Sequence, residues 1–370
     1  MALHPGDLPD FPWDSLADYR RTASAHPDGL VDLSVGTPVD PTPAPVRDAL
    51  VAASDSPGYP TTHGTAQLRE AIADWFARRR GVPGLDPAAV LPTVGSKEFV
   101  ALAPALLGIG EGDAVVHPTV AYPTYDVGAR LAGAAPLPAD DPAQWRDTPG
   151  VRIVWVNSPS NPTGAVASTE KLAEVVAAAR EIGAVVFSDE CYAELTWDDS
   201  GPAPSILDPD VCGGSTKGVV AVYSLSKQSN LAGYRAAFAA GDADVISRLL
   251  EVRKHSGFIV PGPVQAAMVA ALTDEEHVVT QRKIYGARRA ALASALVEAG
   301  LRIDHSQAGL YLWATRNEDC WETIGWLASL GILAAPGAFY GVAGRQHVRI
   351  ALTASDERVH AAAYRLTNSR

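Results

Sequence analysis

The sequence predicts an α/β protein, with a mostly parallel central sheet in a large domain and a smaller α+β domain beside it. Short apolar, β-branched runs alternate with amphipathic helical segments over much of the chain, a pattern typical of parallel sheets built by right-handed crossovers. The chain has 370 residues, 47% of them hydrophobic, which suffices for more than one domain. The regular alternation of strands and helices ends after Asp242, and the rest of the chain has the mixed pattern of an α+β domain. We place the large domain at residues 36–262. The small domain then comprises residues 1–35 and 263–370.

The N-terminal part of the chain predicts a short helix over residues 13–25 and a brief strand over residues 31–35, in a proline-rich setting. An amphipathic helix follows, because apolar residues recur on one helical face at Leu68, Ile72, Trp75 and Phe76. Strands are then predicted over residues 114–117, 152–157 and 184–188. One helix begins before these strands, at Gly95, and two begin between them, at Tyr122 and Ser168.

The C-terminal part of the chain predicts the last helix of the large domain and then the elements of the small domain. A helix over residues 245–253 is followed by Pro261 and Pro263, which we expect to interrupt regular structure. Thr273 and Glu276 form a capping-box pattern for a long helix ending near Gly300. Three strands and a last helix complete the domain, over residues 310–314, 332–335 and 347–352 and from Ser355 onward.

The stretch around Lys227 carries the strongest functional signal in the chain. The apolar run over residues 219–223 predicts a buried strand, and Lys227 follows where that strand ends. Ligands of open α/β sheets bind at this edge. Ser224, Ser226 and Arg235 lie close to the lysine in the sequence, and two hydroxyls with an arginine suit a phosphate group. A lysine in a partly desolvated pocket can become an imine-forming amine, although a lysine after serine is also common on solvated surfaces.

Further polar residues follow the ends of neighbouring predicted strands. Asn161 opens an Asn-Pro-Thr-Gly segment, and Asp189 ends a strand with Tyr192 three residues later. Each has a structural alternative: a turn for Asn161, a helix cap for Asp189 and a core position for Tyr192. Since the carboxyl ends of parallel strands meet at one sheet edge, the convergence of these residues with Lys227 favours a binding site.

Composition excludes several other classes of protein. The net charge of −12 argues against nucleic acid or an anionic membrane as partner. The three cysteines show no pairing pattern, and no signal segment or membrane-length apolar run is visible, so we expect a soluble cytoplasmic protein. The nine histidines lack metal-ligand spacing, and no metal is predicted. The glycines of residues 108–112 precede a strand, which indicates a turn instead of a dinucleotide site.

In this order and spacing, the motifs resemble those of the fold-type I pyridoxal-phosphate aminotransferases of class I and II. The likeness extends over residues 32–354 and includes Asn-Pro-Thr-Gly, Asp-x-x-Tyr, Ser-x-Ser-Lys with an arginine eight residues later, and Arg349. The resemblance implies that Lys227 binds pyridoxal 5′-phosphate covalently and later moves the substrate proton. It implies that Asp189 pairs with the ring nitrogen, and that Tyr192 and Asn161 donate to the ring 3′ oxygen.

The resemblance also assigns the remaining cofactor contacts. The phosphate would be held by two side-chain hydroxyls, one arginine and the amides at a helix N-terminus: Ser224, Ser226, Arg235, Gly95, Ser96 and Lys97. Tyr122 would stack on the ring, with Tyr125 as its competitor. Tyr59 would reach a phosphate in the neighbouring subunit, which implies a homodimer with shared active sites.

Arg349 is expected to bind the substrate α-carboxylate, with Gly36 and Asn161 beside it. The partners implied are small amino acids and 2-oxo acids. Other residues near these motifs receive structural predictions: Tyr311 and Trp313 in the core of the small domain, with a place at the border of the pocket as the alternative for Tyr311, and Cys191 as an inert thiol.

Within the family, residues 34–38, 95–98 and 224–235 are most similar to bacterial N-succinyldiaminopimelate aminotransferases. A succinylated substrate carries distal carboxylates, for which Lys97 is the first candidate and Arg253 and Lys254 are weaker ones. The alternatives are an aspartate, aromatic, kynurenine-type or LL-diaminopimelate aminotransferase, and a fold-type I C–S lyase. A non-catalytic ligand-sensing domain is disfavoured because every cofactor position carries a competent residue.

Overall fold

The computed structural model describes residues 8–197 and 201–369. Its strands are β1 (Val31–Asp32), β2 (Val90–Val94), β3 (Ala114–His117), β4 (Ala135–Pro138), β5 (Val151–Asn157), β6 (Val185–Asp189), β7 (Val219–Ser224), β8 (Ala236–Gly241), β9 (Arg302–Asp304), β10 (Tyr311–Thr315), β11 (Ile332–Leu333), β12 (Ala335–Pro336) and β13 (Val348–Ala351). Its helices are α1 (Ala17–Ser24), α2 (Ala44–Ala52), α3 (Ala66–Arg80), α4 (Ser96–Leu106), α5 (Thr124–Leu131), α6 (Thr169–Glu181), α7 (Pro209–Cys212), α8 (Leu225–Gln228), α9 (Ala243–Ser256), α10 (Gly262–Thr273), α11 (Glu276–Glu298), α12 (Cys320–Ser329) and α13 (Asp356–Thr367). None of the helices in this described part is long and apolar enough to cross a bilayer.

The large central sheet has seven strands in the order β2-β8-β7-β6-β5-β3-β4. Strands β4, β3, β5, β6 and β7 run parallel, whereas β8 is antiparallel to both of its neighbours. The predicted mostly parallel sheet and α/β class are therefore confirmed. Strands β2, β4 and β8 are absent from the sequence prediction, because β8 is rich in alanine and both β2 and β4 contain proline, residues with low strand propensity.

Alternating side chains of the central strands enter two hydrophobic cores. In β7, Val219 and Ala221 pack with helices α3, α6 and α10, whereas Val220 and Val222 pack with α4, α5 and α9 on the opposite face. Both faces are thus covered, which explains why β7 is a continuous apolar run. This burial fixes the positions of the polar loops that follow the strands at the carboxyl edge.

The second layer of the protein is a four-stranded antiparallel sheet in the order β12-β13-β10-β9, with β1 paired to β11 beside it. Its core draws on α11, α12, α13 and the N-terminal segment. Trp313 of β10 lies opposite Arg349 of β13. The domain boundary at residue 262 stays a prediction, and α10, directly after it, packs against α2 and α3 of the large core.

The junction of α10 and α11 differs from the sequence prediction. Pro261 and Pro263 begin helix α10 instead of interrupting regular structure, because proline is well tolerated in the first helical turn. Thr273 ends that helix and its hydroxyl donates to the Val269 carbonyl at 2.9 Å, so the predicted capping box is wrong. The backbone N–H of Glu276 donates to Asp274 Oδ1 at 3.0 Å instead.

A hydrogen-bonded network joins α11 to the chain around the lysine. Arg288 donates to both carboxylate oxygens of Asp40 at 2.6 and 2.7 Å. Gln281 donates to Asp40 at 2.8 Å and accepts from Asn230, three residues after Lys227, also at 2.8 Å. Although burial by itself raises the pKa of Asp40, the bonds from Arg288 and Gln281 hold that pKa below its usual value. The carboxylate therefore stays charged near neutral pH and anchors this network.

Candidate active site

A cavity of about 790 Å³ opens at the carboxyl ends of β5, β6 and β7. Its wall includes most of the residues predicted from the sequence: Gly36, Ser96, Lys97, Tyr122, Asn161, Asp189, Tyr192, Ser224, Ser226, Lys227, Arg235 and Arg349. Gly95 lies directly behind Arg235 at the start of α4. Tyr59 is fully exposed and lies outside this cavity, so its place in a neighbouring subunit's site stays a prediction.

The lysine reaches the cavity because a short helix follows β7 without an intervening loop. Ser224 caps α8 by accepting a hydrogen bond from the Ser226 N–H at 3.2 Å. The Ser224 hydroxyl also donates to the Ser226 hydroxyl at 2.8 Å. Lys227 is partly buried, and its Nζ donates to the Gly36 carbonyl at 2.5 Å. The amine therefore lies beside the segment predicted to contact the substrate carboxylate.

Asp189 is a buried acid at the end of β6. Its Oδ2 accepts from the Tyr125 hydroxyl at 2.9 Å, and its Oδ1 accepts from the Cys191 N–H at 3.1 Å. Burial raises the pKa of Asp189, and the donors Cys191 and Tyr125 only partly offset this effect. No salt bridge to Asp189 is found within residues 8–197 and 201–369. A cationic ligand in the cavity would favour the charged carboxylate.

An anion-binding corner surrounds Arg235. This residue has a left-handed backbone, with φ of 56°, and its guanidinium lies against Gly95 at the N-terminus of α4. A Cβ atom on Gly95 would overlap the guanidinium, so glycine is needed for this close approach. The hydroxyls of Ser224 and Ser226 line the same cavity. Helix N-terminal amides, hydroxyls and a guanidinium together suit a phosphate group.

Arg349 is buried and held from several sides. Its Nη1 donates to Asn161 Oδ1 at 2.9 Å and its Nη2 donates to the Ser34 carbonyl at 2.7 Å. Its Nε has no hydrogen-bond partner among the described residues. The guanidinium carbon lies 3.9 Å from the centroid of the Tyr311 ring. The site thus offers an incompletely satisfied cation for a carboxylate ligand.

Tyr311 packs in the core of the small domain, as the sequence predicts, and it also borders the cavity, which was the alternative. The ring lines the cavity, and its hydroxyl lies 3.2 Å from the Tyr192 hydroxyl. A side chain at Gly36 would overlap the Tyr311 hydroxyl, which accounts for glycine at that position. Burial alone would raise the pKa of Tyr311, but the charges of Arg349 and Lys227 lower it. The pairing of β10 with β13 places Tyr311 and Trp313 on the same strand face as Arg349.

Asn157 lines the cavity, and the sequence reasoning assigned it no role. It ends β5, and its Oδ1 accepts from the Asn161 N–H at 2.7 Å. Its Nδ2 donates to the Asp189 carbonyl at 3.0 Å. Asn157 therefore fixes the loop that carries Asn161 against the strand that carries Asp189. Its position as the last polar residue of a predicted strand was an available signal.

Tyr122 and Tyr125 occupy different layers of the site. Tyr122 lines the cavity, and burial raises its pKa to about 12, so the phenol stays protonated near neutral pH. Tyr125 lies beneath it, with ring centroids 6.0 Å apart and planes at 87°. This placement favours Tyr122 as the ring-stacking residue.

The N-terminal segment forms one wall of the cavity. The sequence analysis assigned this proline-rich segment no role in the site. Leu8, Phe11 and Trp13 line the cavity together with Arg20 of α1. The Lys97 Nζ lies 5.7 Å from the Phe11 ring centroid, within the range of a cation–π contact. Two basic side chains, Arg20 and Lys97, thus line the cavity together with an apolar aromatic wall, which Lys97 contacts.

The two weaker candidates for distal carboxylate binding are elsewhere. Arg253 is fully buried and donates to both carboxylate oxygens of Glu98 at 2.7 and 3.0 Å. Lys254 pairs with Glu251 at 2.6 Å on the surface. Neither residue lines the cavity, so this part of the prediction is wrong. Helix α9 turns their side chains away because its arginine packs inward against α4.

The chain matches the family described as aminotransferase class I and II over residues 28–366. It is 59% identical to 4-dedimethylamino-4-oxo-anhydrotetracycline transaminase OxyQ of Streptomyces rimosus, over 98% of this chain and 99% of that protein. It is 57% identical to the probable aminotransferase Rv1178 of Mycobacterium tuberculosis, over 97% of this chain and 85% of that protein. A solved probable N-succinyldiaminopimelate aminotransferase from Thermus thermophilus matches with a TM-score of 0.86 and 32% identity, covering 97% of this chain and 100% of that one.

The described residues fit the cofactor of this family. Asp189 is a buried acid facing the cavity without a cationic partner in the described part, which suits a protonated ring nitrogen. The corner around Arg235 suits a phosphate, and Gly95 leaves the space that the guanidinium needs. The chain therefore belongs to the class I and II aminotransferase family and is a transaminase that depends on pyridoxal 5′-phosphate.

Proposed function

We propose that this aminotransferase moves an amino group between N-succinyl-LL-2,6-diaminopimelate and 2-oxoglutarate by a ping-pong mechanism. The observation that carries the proposal is the composition of the cavity, which has Arg349 in its buried part and Lys97 and Arg20 in its wall. The proposed donor has a carboxylate at its reacting end and further carboxylates at its distal end. A site with cations in separate parts of a cavity of about 790 Å³ matches this distribution of charge.

The reacting end would be handled by Lys227 and Asp189. When bound, pyridoxal phosphate supplies an electron-withdrawing ring that accepts electrons released at the substrate α-carbon. Lys227 would hold the cofactor, and its Nζ would then move the proton at the α-carbon. This role is supported by the 2.5 Å bond from Nζ to Gly36, which places the amine beside the carboxylate subsite. Asp189 would keep the ring nitrogen protonated.

The cofactor's other groups would be held by the surrounding wall. Ser224, Ser226 and Arg235 would bind the phosphate with the N-terminal amides of α4. Tyr122 would stack on the ring. Asn161 and Tyr192 would bond the ring 3′ oxygen, since both line the cavity next to Asp189.

A homodimer with shared active sites is part of the proposal. Tyr59 is fully exposed, and Val39 and Val51 in the neighbouring sequence are also largely exposed. An aromatic side chain that contributes nothing to its own cavity, in a segment with exposed valines, suits a contact with a second copy. Tyr59 would then reach the cofactor phosphate in the partner subunit.

Arg349 would bind the substrate α-carboxylate. Its Nη atoms are each held by one acceptor, Asn161 and the Ser34 carbonyl, which fixes the direction of the guanidinium. Its Nε is buried without a partner in the described part of the chain, so it is available to a ligand. Arginine binds carboxylates through two parallel N–H donors, which orients as well as attracts the substrate. Gly36 leaves room for this group next to Tyr311.

The distal end of the substrate would contact the N-terminal wall. Lys97 and Arg20 would attract the distal carboxylates, although Arg20 also pairs with Asp32 at 2.8 Å. Phe11 and Trp13 would cover the methylene groups between the charged ends. This division assigns the acidic groups to cations and the apolar chain to aromatic rings.

A second candidate is an aminotransferase for a bulky cyclic substrate. The relative named as an anhydrotetracycline transaminase is 59% identical to this chain, and its name indicates a polycyclic substrate. The apolar side chains Leu8, Phe11, Trp13 and Val127 in the cavity wall would suit such a ring system. The two candidates differ in whether the distal group is acidic.

A donor panel with the holoenzyme tests the proposal. We expect N-succinyl-LL-2,6-diaminopimelate with 2-oxoglutarate to form glutamate with a kcat/KM at least about tenfold above that for phenylalanine, kynurenine or aspartate, because of the added charged contacts. Faster turnover of a cyclic substrate would favour the second candidate. Release of ammonia and an oxo acid without an acceptor would indicate a lyase and contradict both.

The role of Lys97 gives a selective prediction. Lys97→Ala is expected to lower kcat/KM for the succinylated donor about tenfold to a hundredfold, the range for losing a hydrogen bond to a charged group. It should leave the kcat/KM for alanine nearly unchanged, whereas Arg349→Ala should weaken all donors alike. Lys254→Ala is the matched control, because that lysine is exposed and pairs with Glu251 outside the cavity. Equal losses for acidic and neutral donors in Lys97→Ala would contradict the assignment.

A further inference from the structure

Beneath the cavity, one phenol contacts the acid that faces the cofactor. We infer that Tyr125 is a positioning residue for the cofactor: its hydroxyl holds the Asp189 carboxylate charged and oriented toward the ring nitrogen. The inference rests on the proposed role of Asp189. Tyr125 does not line the cavity itself, so it acts only through the acid.

The Tyr125 ring is fixed by packing on two sides. It is completely buried in the first turns of α5. Its centroid lies 5.2 Å from that of Trp155, with planes tilted by 31°, and Trp155 stacks in turn on Phe187 at 4.9 Å. Its other neighbour is Tyr122, which it meets edge-on. Because the ring has little freedom to rotate, the direction of its hydroxyl is set before any ligand binds.

The hydrogen bonds that Asp189 accepts from the protein leave its carboxylate able to accept a further bond from a ligand in the cavity. Asp189 Oδ2 accepts from Tyr125 and Oδ1 accepts from the Cys191 N–H, and the Cys191 thiol is a third donor to the carboxylate. A carboxylate oxygen can accept more than one bond, so both retain capacity toward the cavity that Asp189 lines. The donors behind the acid thus orient its remaining lone pairs.

The pKa values of Asp189, Tyr125 and Cys191 also support a role for Tyr125 as a donor to the acid. Burial raises the pKa of Asp189, and the bonds from Cys191 and Tyr125 oppose that rise. Burial also raises the pKa of Tyr125 and of the Cys191 thiol well above their usual values, and the negative charge of Asp189 adds to both effects. Both groups therefore remain protonated donors across the working pH range. Removing the phenol would make Asp189 more basic and draw the shared proton away from the ring nitrogen.

Tyr122 and Tyr125 lie at the start of α5. Tyr122 precedes the helix and faces the cavity, whereas Tyr125, in its first turn, lies behind Asp189. A single short segment therefore supplies the ring wall and the partner of the acid. Tyr125, the alternative candidate for ring stacking, thus has a different inferred role, as the partner of Asp189.

The experiment measures cofactor binding by equilibrium dialysis and the pH midpoint of the bound cofactor's visible colour. Tyr125→Phe keeps the ring and removes the hydroxyl. The dissociation constant of pyridoxal phosphate should rise about tenfold to a hundredfold. The coloured protonated form should persist to higher pH, because a less cationic ring makes the lysine-bound nitrogen more basic. Unchanged values of both quantities would overturn the inference.

A double-mutant cycle separates this inference from the role of Asp189. If Tyr125 acts through the acid, Tyr125→Phe should add little to the loss of cofactor binding in Asp189→Asn. Fully additive losses would overturn the inference. If Asp189→Asn alone leaves cofactor binding and colour unchanged, the proposed role of the acid fails instead.

Two further variants guard against a purely structural effect. Tyr285→Phe removes another buried phenol, which donates to Asn230 Oδ1 at 3.2 Å, and it should lower thermal stability without moving the pH midpoint of the colour. Should Tyr125→Phe not fold, Cys191→Ala removes the thiol donor to the same carboxylate. It should shift the midpoint upward by a smaller amount, and an unchanged midpoint would count against the inference.

Discussion

Lys227→Ala is expected to reduce transamination by at least about 10⁴-fold, the upper range for loss of a general acid–base group. The side chain is partly buried, and its one described hydrogen bond is the contact of Nζ with the Gly36 carbonyl. Its loss should therefore leave the fold intact. The visible absorbance of the holoenzyme should disappear, since Lys227 is the residue proposed to bind the cofactor covalently. Absorbance spectra and single-turnover rates with saturating donor measure both effects.

The matched control is Lys217→Ala, an exposed lysine before β7. It should retain colour and turnover. Borohydride reduction followed by peptide mass analysis should place the cofactor on Lys227. An adduct on a different lysine, or turnover like that of the natural chain in Lys227→Ala, would contradict the role assigned here. Added methylamine should restore part of the rate, because the missing group is a small amine.

Asp189→Asn is expected to lower kcat by about a thousandfold, similar to the loss of a preorganised electrostatic group in other enzymes. The amide has nearly the shape of the acid but cannot carry its charge, so the ring nitrogen would lose its anionic partner. Tyr125 and the Cys191 N–H donate to different oxygens of Asp189, so the amide, which has a single acceptor oxygen, could keep only one of these two bonds. The coloured form of the cofactor should persist to higher pH, because a less cationic ring makes the lysine-bound nitrogen more basic.

A pH titration of colour together with pre-steady-state kinetics tests this prediction. Glu190→Gln is a useful comparison, because Glu190 is the adjacent buried acid but pairs with Arg80 at 3.0 Å and lies outside the cavity wall. That variant should lose stability with much less effect on the colour midpoint. A rate for Asp189→Asn within about tenfold of the unmodified enzyme would exclude the proposed electrostatic role.

Local motifs were sufficient to predict which polar residues lie together at the cavity, whereas the roles of these residues stay proposals. Lys227, Asp189 and Asn161 follow strands with strong apolar signals, and the order of parallel strands brings their ends together. Tyr311 could not be assigned this way, because its location depends on how β10 pairs with β13 in the smaller sheet. The contact of Tyr311 with Arg349 is between distant parts of the chain and leaves no local pattern.

Elements with weak local preferences were the other source of error. Strand β8 consists mainly of alanine and glycine, and only burial between β2 and β7 makes it a strand. Helix α10 begins after Pro261, where the same residue type can either end or start a helix. Arg253 shows that the sequence does not reveal which way a charged side chain points. This arginine points inward and pairs with Glu98, so it binds no ligand in the cavity.

The N-terminal wall has a practical consequence for handling the protein. Phe11 and Trp13 line the cavity, and Trp13 also packs on Phe339 with ring centroids 5.2 Å apart. A recombinant version shortened past Trp13 would lack both rings and leave Lys97 more open to water. Substrate preferences measured on such a trimmed version, or on one with a purification tag joined close to this wall, would describe an altered recognition surface.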